Sequence, residues 1–414
     1  MSLENFLNPK SIAIIGASEH KDKVGYALME NLDGFKGKIV PINPKHSVIF
    51  GLKSYRSVLD YRGKIDLCII AVPAKFVAGV LNECGRKGIK SVIVISSGFS
   101  EQGNVEEEKK ILKVAKKYGI RILGPNCFGI ANPYVDMDTT FSRSYVKKGG
   151  IAFISQSGAL WSYISDFASA NNIGFSGYVS LGNMSDLEFS DFIEYFSKDR
   201  KTKYIVLYVE KLKKGKRFLE VVKKCKKSIY VVKAGSSKEG SEAAFSHTGS
   251  LATDYEIYKG IFKQGGVVLK KSLVEILQLI TKKKFSNRIK KLKIKEATIV
   301  TNAGGAGALA SDYLSNSGVK VKGTYDILGT AVDKDYKKAL VKYGCKDTTI
   351  VILTPQTMSH ILETAQEVIN FKKKTKKKIV GLFLGGKVVK KACMFLEKNG
   401  ISCFNTLEEF RKSL

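Results

Sequence analysis

Residues 234–252 run Ala-Gly-Ser-Ser-Lys-Glu-Gly-Ser-Glu-Ala-Ala-Phe-Ser-His-Thr-Gly-Ser-Leu-Ala and set one imidazole, His247, among glycines, serines and alanines. A segment of that composition has little apolar surface to bury, so it is expected to form a loop and its histidine to reach into a site. An imidazole among hydroxyls and glycines, in a chain with anion sites, points to a functional rather than a core histidine. His20 and His46 neighbour lysines and read as surface residues, and His360 falls in a helical stretch.

Two further segments suit anions. Gly16-Ala17-Ser18-Glu19-His20-Lys21-Asp22-Lys23-Val24-Gly25 joins an apolar strand to an amphipathic helix. Small residues let the backbone approach a phosphate, and the helix start supplies unpaired N–H groups at the positive end of its dipole. The spacing is not GxGxxG. The next strand ends Asn43-Pro44-Lys45, a cation where a nicotinamide dinucleotide site carries a ribose-binding carboxylate. Gly16, Ala17, Ser18, Lys23, Asn43, Pro44 and Lys45 are therefore expected to hold a ligand with extra phosphate, as CoA has on its ribose, and not NAD. The second segment, Ser155-Gln156-Ser157-Gly158-Ala159, turns a strand directly into a helix. Gln156, Ser157 and Gly158 are expected to bind phosphate there, with Ser157 as the helix cap.

Apolar runs followed by glycine or turn residues and then a helical pattern recur along the chain, which predicts parallel α/β sheets. Strands are expected at Ser11–Gly16, Lys38–Ile42, Leu67–Val72, Ser91–Ser96 and Arg121–Leu123. A second series covers Ile151–Ile154, Phe175–Ser180, Lys203–Val209, Ser228–Lys233 and Val267–Leu269. After a charged linker at 282–295, a third covers Ala297–Thr301, Thr348–Leu353, Lys378–Leu384 and Ile401–Phe404. Ligands of such sheets bind beyond the carboxyl ends of the strands. Val72-Pro73, Ser97-Gly98 and Asn126-Cys127 should thus line one groove with the Gly16 loop.

Composition narrows the classes. At 414 residues with 44% hydrophobic residues the chain has material for several cores, and no apolar run approaches the roughly 20 residues of a membrane span. A cytoplasmic location is expected. The seven cysteines are scattered without CxxC spacing, so neither a disulfide framework nor a zinc site is expected, and no metal is assigned to this chain. The net charge of +31 comes mostly from lysines spread over helical stretches, which argues for a solvated surface rather than a nucleic-acid stripe.

Read together, SIAIIGAS with its downstream KVG, PINPK, SSGFSE, GPNCFGIANP, GGIAFISQSGAL, GYVSLGN, YVEKLKKGKRFLE and SEAAFSHTGSLA resemble, in this order and nearly end to end, the α subunit of ADP-forming acetyl-CoA synthetases, and more distantly that of succinyl-CoA synthetase. The resemblance implies a Rossmann-like CoA-binding domain (1–130), a flavodoxin-like domain carrying a phosphohistidine (148–281), and a second flavodoxin-like domain (293–414). The last looks shortened, lacking the family's NP after Asn302-Ala303-Gly304-Gly305. It makes His247 the phosphorylated residue and Glu210 the carboxylate that orients it. It implies substrates CoA, phosphate and a small carboxylic acid, and a separate ATP-grasp β subunit holding ADP or ATP with Mg2+. A non-catalytic CoA- or nucleotide-binding regulator is the alternative; membrane and nucleic-acid partners are not expected.

Overall fold

The computed structural model describes residues 3–248, 254–285, 289–344 and 347–414, with backbone alone for 245–248. Chain order runs β1 (Ser11–Ile15), β2 (Lys38–Ile42), a hairpin of β3 (Val48–Ile49) and β4 (Leu52–Lys53), then β5 (Leu67–Ile70), β6 (Ser91–Val94) and β7 (Arg121–Leu123). Five of these form a parallel sheet in the order β2-β1-β5-β6-β7. Isoleucine and valine dominate because both faces are covered: every residue of β1, β5 and β6 is buried. The helix Val105–Tyr118 starts with Glu106, Glu107 and Glu108, ends with Lys116 and Lys117, and stops at Gly119 in the left-handed region, charges and cap that match its dipole.

The second sheet holds β8 (Ile130–Asn132), β9 (Met137–Asp138), β10 (Lys147–Ser155), β11 (Gly174–Ser180), β12 (Tyr204–Val209), β13 (Ser228–Lys233) and β14 (Val268–Lys270), in the order β14-β13-β12-β10-β11-β8-β9. The strands β8 and β9, which the sequence pattern did not announce, add an antiparallel edge to an otherwise parallel sheet. The third sheet is β16-β15-β17-β18-β19, from β15 (Glu296–Thr301), β16 (Lys320–Asp326), β17 (Thr348–Leu353), β18 (Lys378–Phe383) and β19 (Ser402–Phe404). Its β16 was also unforeseen, and gives the third unit the same five-strand order as the first.

Two expectations are corrected. The histidine segment is not a loop: Lys238–Thr248 is helical. Cys393 and Cys403, for which no disulfide was expected, form one with Cα atoms 5.5 Å apart, tying the helix Lys387–Lys398 to β19. The stretch 282–295 holds no helix or strand among its described residues and lies along the end of the chain, where the Leu292 amide donates to Ser413 O (2.8 Å).

One apolar cluster joins all three sheets, with Phe6 and Leu28, Phe153 and Trp161, and Ile299 and Ile350 among its members. The units are also bolted by polar groups. Arg143, in the connection from the first unit to the second, donates to Gln356 O (2.9 Å), Thr357 O (2.7 Å) and Ser359 O (2.9 Å) of the third.

Candidate functional site

The carboxyl ends of the strands converge on a cleft with about 410 Å³ of space. The first unit contributes Val72-Pro73 after β5, Ser96-Ser97 after β6 and Asn126-Cys127 after β7. The second contributes Gln156 and Gly158 at the start of the helix Ala159–Ala170. The third contributes Asn302, Ala303 and Gly304 at the start of the helix Gly304–Asn316, together with Asp326 and Leu328–Thr330 after β16. Two helix N-termini therefore aim their free N–H groups into one space from different units.

Of the residues proposed from sequence, Val72, Pro73, Ser97, Asn126, Cys127, Gln156 and Gly158 line this cleft. Cys127 is buried, its thiol pushed up to about 12 by that burial, so it lines the wall as a neutral group and not as a thiolate. Gly98, outside the lining, takes a left-handed φ of 104° and donates its amide to Glu101 Oε1 (2.6 Å). Gly16, Ala17, Ser18, Lys23, Asn43, Pro44 and Lys45 gather beyond β1 and β2, outside the lining. There Asn43 Nδ2 donates to Ala17 O (2.8 Å), the Lys45 amide to Asn43 Oδ1 (2.9 Å) and the His20 amide to Ser18 Oγ (3.1 Å). Gly16 and Gly25 are required by close approach: a Cβ on Gly16 would lie 2.6 Å from Ala71 O, and one on Gly25 1.9 Å from Gly16 O. Lys23, Pro44 and Lys45 are exposed.

At the phosphate end, Gln156 Oε1 accepts from the amides of Glu210 (2.6 Å) and Lys211 (2.8 Å), which fixes the turn after β12. Ser157 does not cap its helix. Ser155 Oγ instead donates to Ser157 O (2.7 Å), and the helix has no side-chain cap. The Ser157 hydroxyl, 1% exposed, and Gln156 Nε2 are buried without a partner among the described residues. Orphaned donors cost about 1–3 kcal/mol each and are the groups an incoming oxyanion would satisfy. Glu210 is buried beside Tyr208, whose phenol burial and the Glu210 charge push well above its usual range and which donates to Gly305 O (3.1 Å). Lys211 borders the cleft, its ammonium pulled down by burial against the charges of Glu210 and Glu108.

His247 sits in the last turn of the helix Lys238–Thr248, and its side chain lies outside the described residues, so the Glu210 to His247 geometry does too. The sequence reading missed the third-unit wall at Asn302-Ala303-Gly304. The signal was present: Ser155-Gln156-Ser157-Gly158 and Thr301-Asn302-Ala303-Gly304 share a hydroxyl, an amide, a small residue and a glycine at the same step from strand to helix. It also missed Lys211 and the buried Asp312. Among the described residues no group of three or more His, Cys, Asp or Glu could hold a metal, and no helix is long and apolar enough to cross a membrane.

A family model described as a CoA binding domain matches residues 10–133, and one described as a succinyl-CoA ligase like flavodoxin domain matches 148–282. An acetate–CoA ligase [ADP-forming] of Methanocaldococcus jannaschii is 44% identical over 98% of this chain, which spans 61% of that relative's length. The acetate–CoA ligase [ADP-forming] II subunit alpha of Pyrococcus furiosus is 40% identical over 98% of this chain and 95% of its own. A solved structure of acetyl-coenzyme A synthetase 1 from Ca. Korarchaeum cryptofilum in complex with phosphate and ADP superposes with a TM-score of 0.66 at 34% identity, over 100% of this chain and 95% of that one. With that identity sustained across all three units, the chain belongs to the family of ADP-forming acetate–CoA ligases.

Proposed function

We propose that the chain is the CoA-binding, phosphohistidine-bearing α subunit of an ADP-forming acyl-CoA synthetase, acting with a separate ATP-grasp β subunit that holds ADP or ATP with Mg2+. The observation that carries this reading is the shared cleft. Loops of the CoA-binding unit meet two helix N-termini, Gln156 and Lys211 in one space, and the buried Ser157 hydroxyl and Glu210 adjoin these last two in the chain. Residues 1–130, 148–281 and 293–414 are assigned as the three domains. The loops of Gly16–Lys23 and Asn43–Lys45, with Val72-Pro73, Ser97-Gly98 and Asn126-Cys127, are assigned to CoA. The tight contacts at Gly16 and Gly25 exclude side chains there and pack the loop against Ala71 and against the helix that follows it. NAD is not assigned, and the protein is placed in the cytoplasm.

The reaction proceeds in reversible stages. Phosphate oxygen attacks the acyl-CoA carbonyl, the C–S bond breaks, and acyl phosphate and free CoA result. The unprotonated ring nitrogen of His247 then attacks phosphorus, the bond to the acyl oxygen breaks and the carboxylate leaves, while the proton on the other ring nitrogen is kept there against Glu210. The phosphohistidine passes its phosphoryl group to ADP on the partner. Gln156, Ser157 and Gly158 bind the phosphoryl oxygens by the helix N-terminus and its unpaired donors. Glu210 accepts from the imidazole's other N–H, which fixes the tautomer and stabilises the cation that forms during transfer.

The test is a phosphorylation assay with the partner subunit and γ-labelled ATP. The label is expected on this chain, stable to alkali and lost in mild acid, and absent from His247→Ala. Glu210→Gln should keep the fold and slow labelling at least about tenfold, or roughly 1.4 kcal/mol of transition-state stabilisation. Label that persists in His247→Ala, or that survives acid on a serine, sinks the assignment.

A further inference from the structure

The helix that carries His247 is rooted in the third unit. Asp312, in the helix Gly304–Asn316, is 2% exposed and accepts from the Gly235 amide (2.7 Å), the Ser237 amide (2.8 Å) and Ser237 Oγ (2.9 Å). Ser237 Oγ in turn accepts from the Gly240 amide (3.0 Å) in the first turn of the helix Lys238–Thr248. Gly240 lies so close that a Cβ there would sit 2.0 Å from Asp312 Oδ1. One helical turn on, Ser315 Oγ donates to Glu239 (2.6 Å), and Asn316 Nδ2 donates to Ser236 Oγ (3.1 Å). A buried carboxylate is costly unless its oxygens are filled, and these oxygens are filled by donors from the start of one particular helix.

Resting on the assignment of His247 above, we propose that Asp312 is a positioning residue for phosphoryl transfer, fixing the root of the histidine helix and thereby where the imidazole meets phosphorus. The lever is long. From Lys238 to His247 a helix rises about 14 Å at 1.5 Å per residue. A root tilted by about 5° displaces the far end by about 1 Å, a misplacement that costs on the order of 100-fold in transfer rate.

The molecule supplies its own control. Asp166, in the helix Ala159–Ala170 of the second unit, is 1% exposed and accepts from the amides of Gly386 (2.7 Å) and Val388 (3.2 Å), the root of the helix Lys387–Lys398 in the third. It makes the same kind of bond across the same pair of units, but the helix it holds carries no histidine. The measurement is the rate of His247 phosphorylation in the assembled complex with labelled acetyl phosphate, alongside CoA affinity by calorimetry and unfolding midpoints. Asp312→Asn should slow labelling at least about tenfold while CoA affinity stays at wild type, since an amide cannot accept from all three donors. Asp166→Asn should lose comparable stability yet change labelling less than about threefold. Ser237→Ala, a milder cut at the same contact, should give a several-fold slowing and serves if Asp312→Asn does not fold. Equal slowing in both aspartate variants, or wild-type rates in Asp312→Asn or Ser237→Ala, overturns the proposal alone. Absence of label from His247 in the wild type overturns the underlying assignment and the proposal with it.

Discussion

The second and third units are built to one plan and differ in what they carry. Each starts its helix after a strand ending in a hydroxyl residue that turns back on the chain: Ser155 Oγ donates to Ser157 O (2.7 Å), Thr301 Oγ1 to Ala303 O (3.0 Å). The next residue is an amide that fixes the turn after the unit's third parallel strand. Gln156 accepts from the Glu210 amide (2.6 Å), and Asn302 Oδ1 from the Thr354 amide (2.9 Å). Each has its cross-unit aspartate, Asp166 and Asp312, eleven residues after its first strand's end. At these matched stations the second unit has Ser157, Glu210 and Lys233, where the third has Ala303, Thr354 and Phe383. The shared positions satisfy the backbone; at the unshared ones only the second unit has a carboxylate and a cation, and its Ser157 hydroxyl stands where the third has Ala303. The proposed chemistry therefore draws on the second unit, while the third completes the cleft and holds the helix.

The core shows the same divergence, and breaking it there should have the largest effect. Trp161 stacks on Tyr178 with ring centroids 4.1 Å apart, while the matched pair in the third unit is Gly307 against Thr324. Trp161→Ala should cost about 3–5 kcal/mol, because the third unit's alternative brings helix and strand closer than the second can collapse. Urea denaturation monitored by far-UV circular dichroism reads this, and a loss below about 1 kcal/mol would mean the two interiors are interchangeable.

Lys233 gives a smaller, pH-dependent contrast. Its ammonium donates to Ala234 O and lies 4.5 Å from the Tyr258 ring centroid, yet burial pulls its pKa down to about 8 against the opposing charges of Asp312 and Glu210. Below pH 8 it is protonated folded and unfolded, and the burial penalty is fully present. Between pH 8 and the unfolded value near 10.5 the folded state binds fewer protons, so stability rises with pH by about 3 kcal/mol from this group. Lys233→Met, apolar like Phe383, should remove that rise. Parallel stability curves for the two proteins between pH 7.5 and 10.5 would contradict it.

The smallest effect should come from Ser157→Ala, which imports the third unit's Ala303. Removing a buried hydroxyl without a partner should leave stability equal or raise it by up to about 1 kcal/mol, while phosphorylation of His247 slows about tenfold. A clear loss of stability with unchanged phosphorylation would show the hydroxyl to be structural.

Most strands could be read because both faces of a covered parallel sheet demand apolar runs, and Ser11–Ile15, Lys38–Ile42 and Thr348–Leu353 fall where the pattern predicts. The strand Lys320–Asp326 could not, since as an edge strand with no fully buried residue it keeps lysines and a glycine. The helix Lys238–Thr248 was illegible for a related reason. Its glycine and two serines lack the local preference for helix, and what holds its root is a carboxylate 75 residues away in the chain. The post-strand loops of the cleft were legible because anion sites follow from local backbone chemistry. Lys211 and the Asp312 contact required the fold, since their roles come from neighbours brought together by it.

The antiparallel edge at Ile130–Asn132 and Met137–Asp138 bears on modularity. The chain leaving the first unit does not hang as a tether. It pairs with β11 through Ile130 to Val179 and Ala131 to Tyr178, so the second unit's sheet finishes with residues that precede its own first strand. A cut after residue 130 would divide a strand and leave the β11 edge with unpaired N–H and C=O groups, a surface that recruits other strands. The first unit is thus stitched to the second rather than strung to it, and a separable CoA-binding fragment would have to carry this ribbon away and supply the second unit with another.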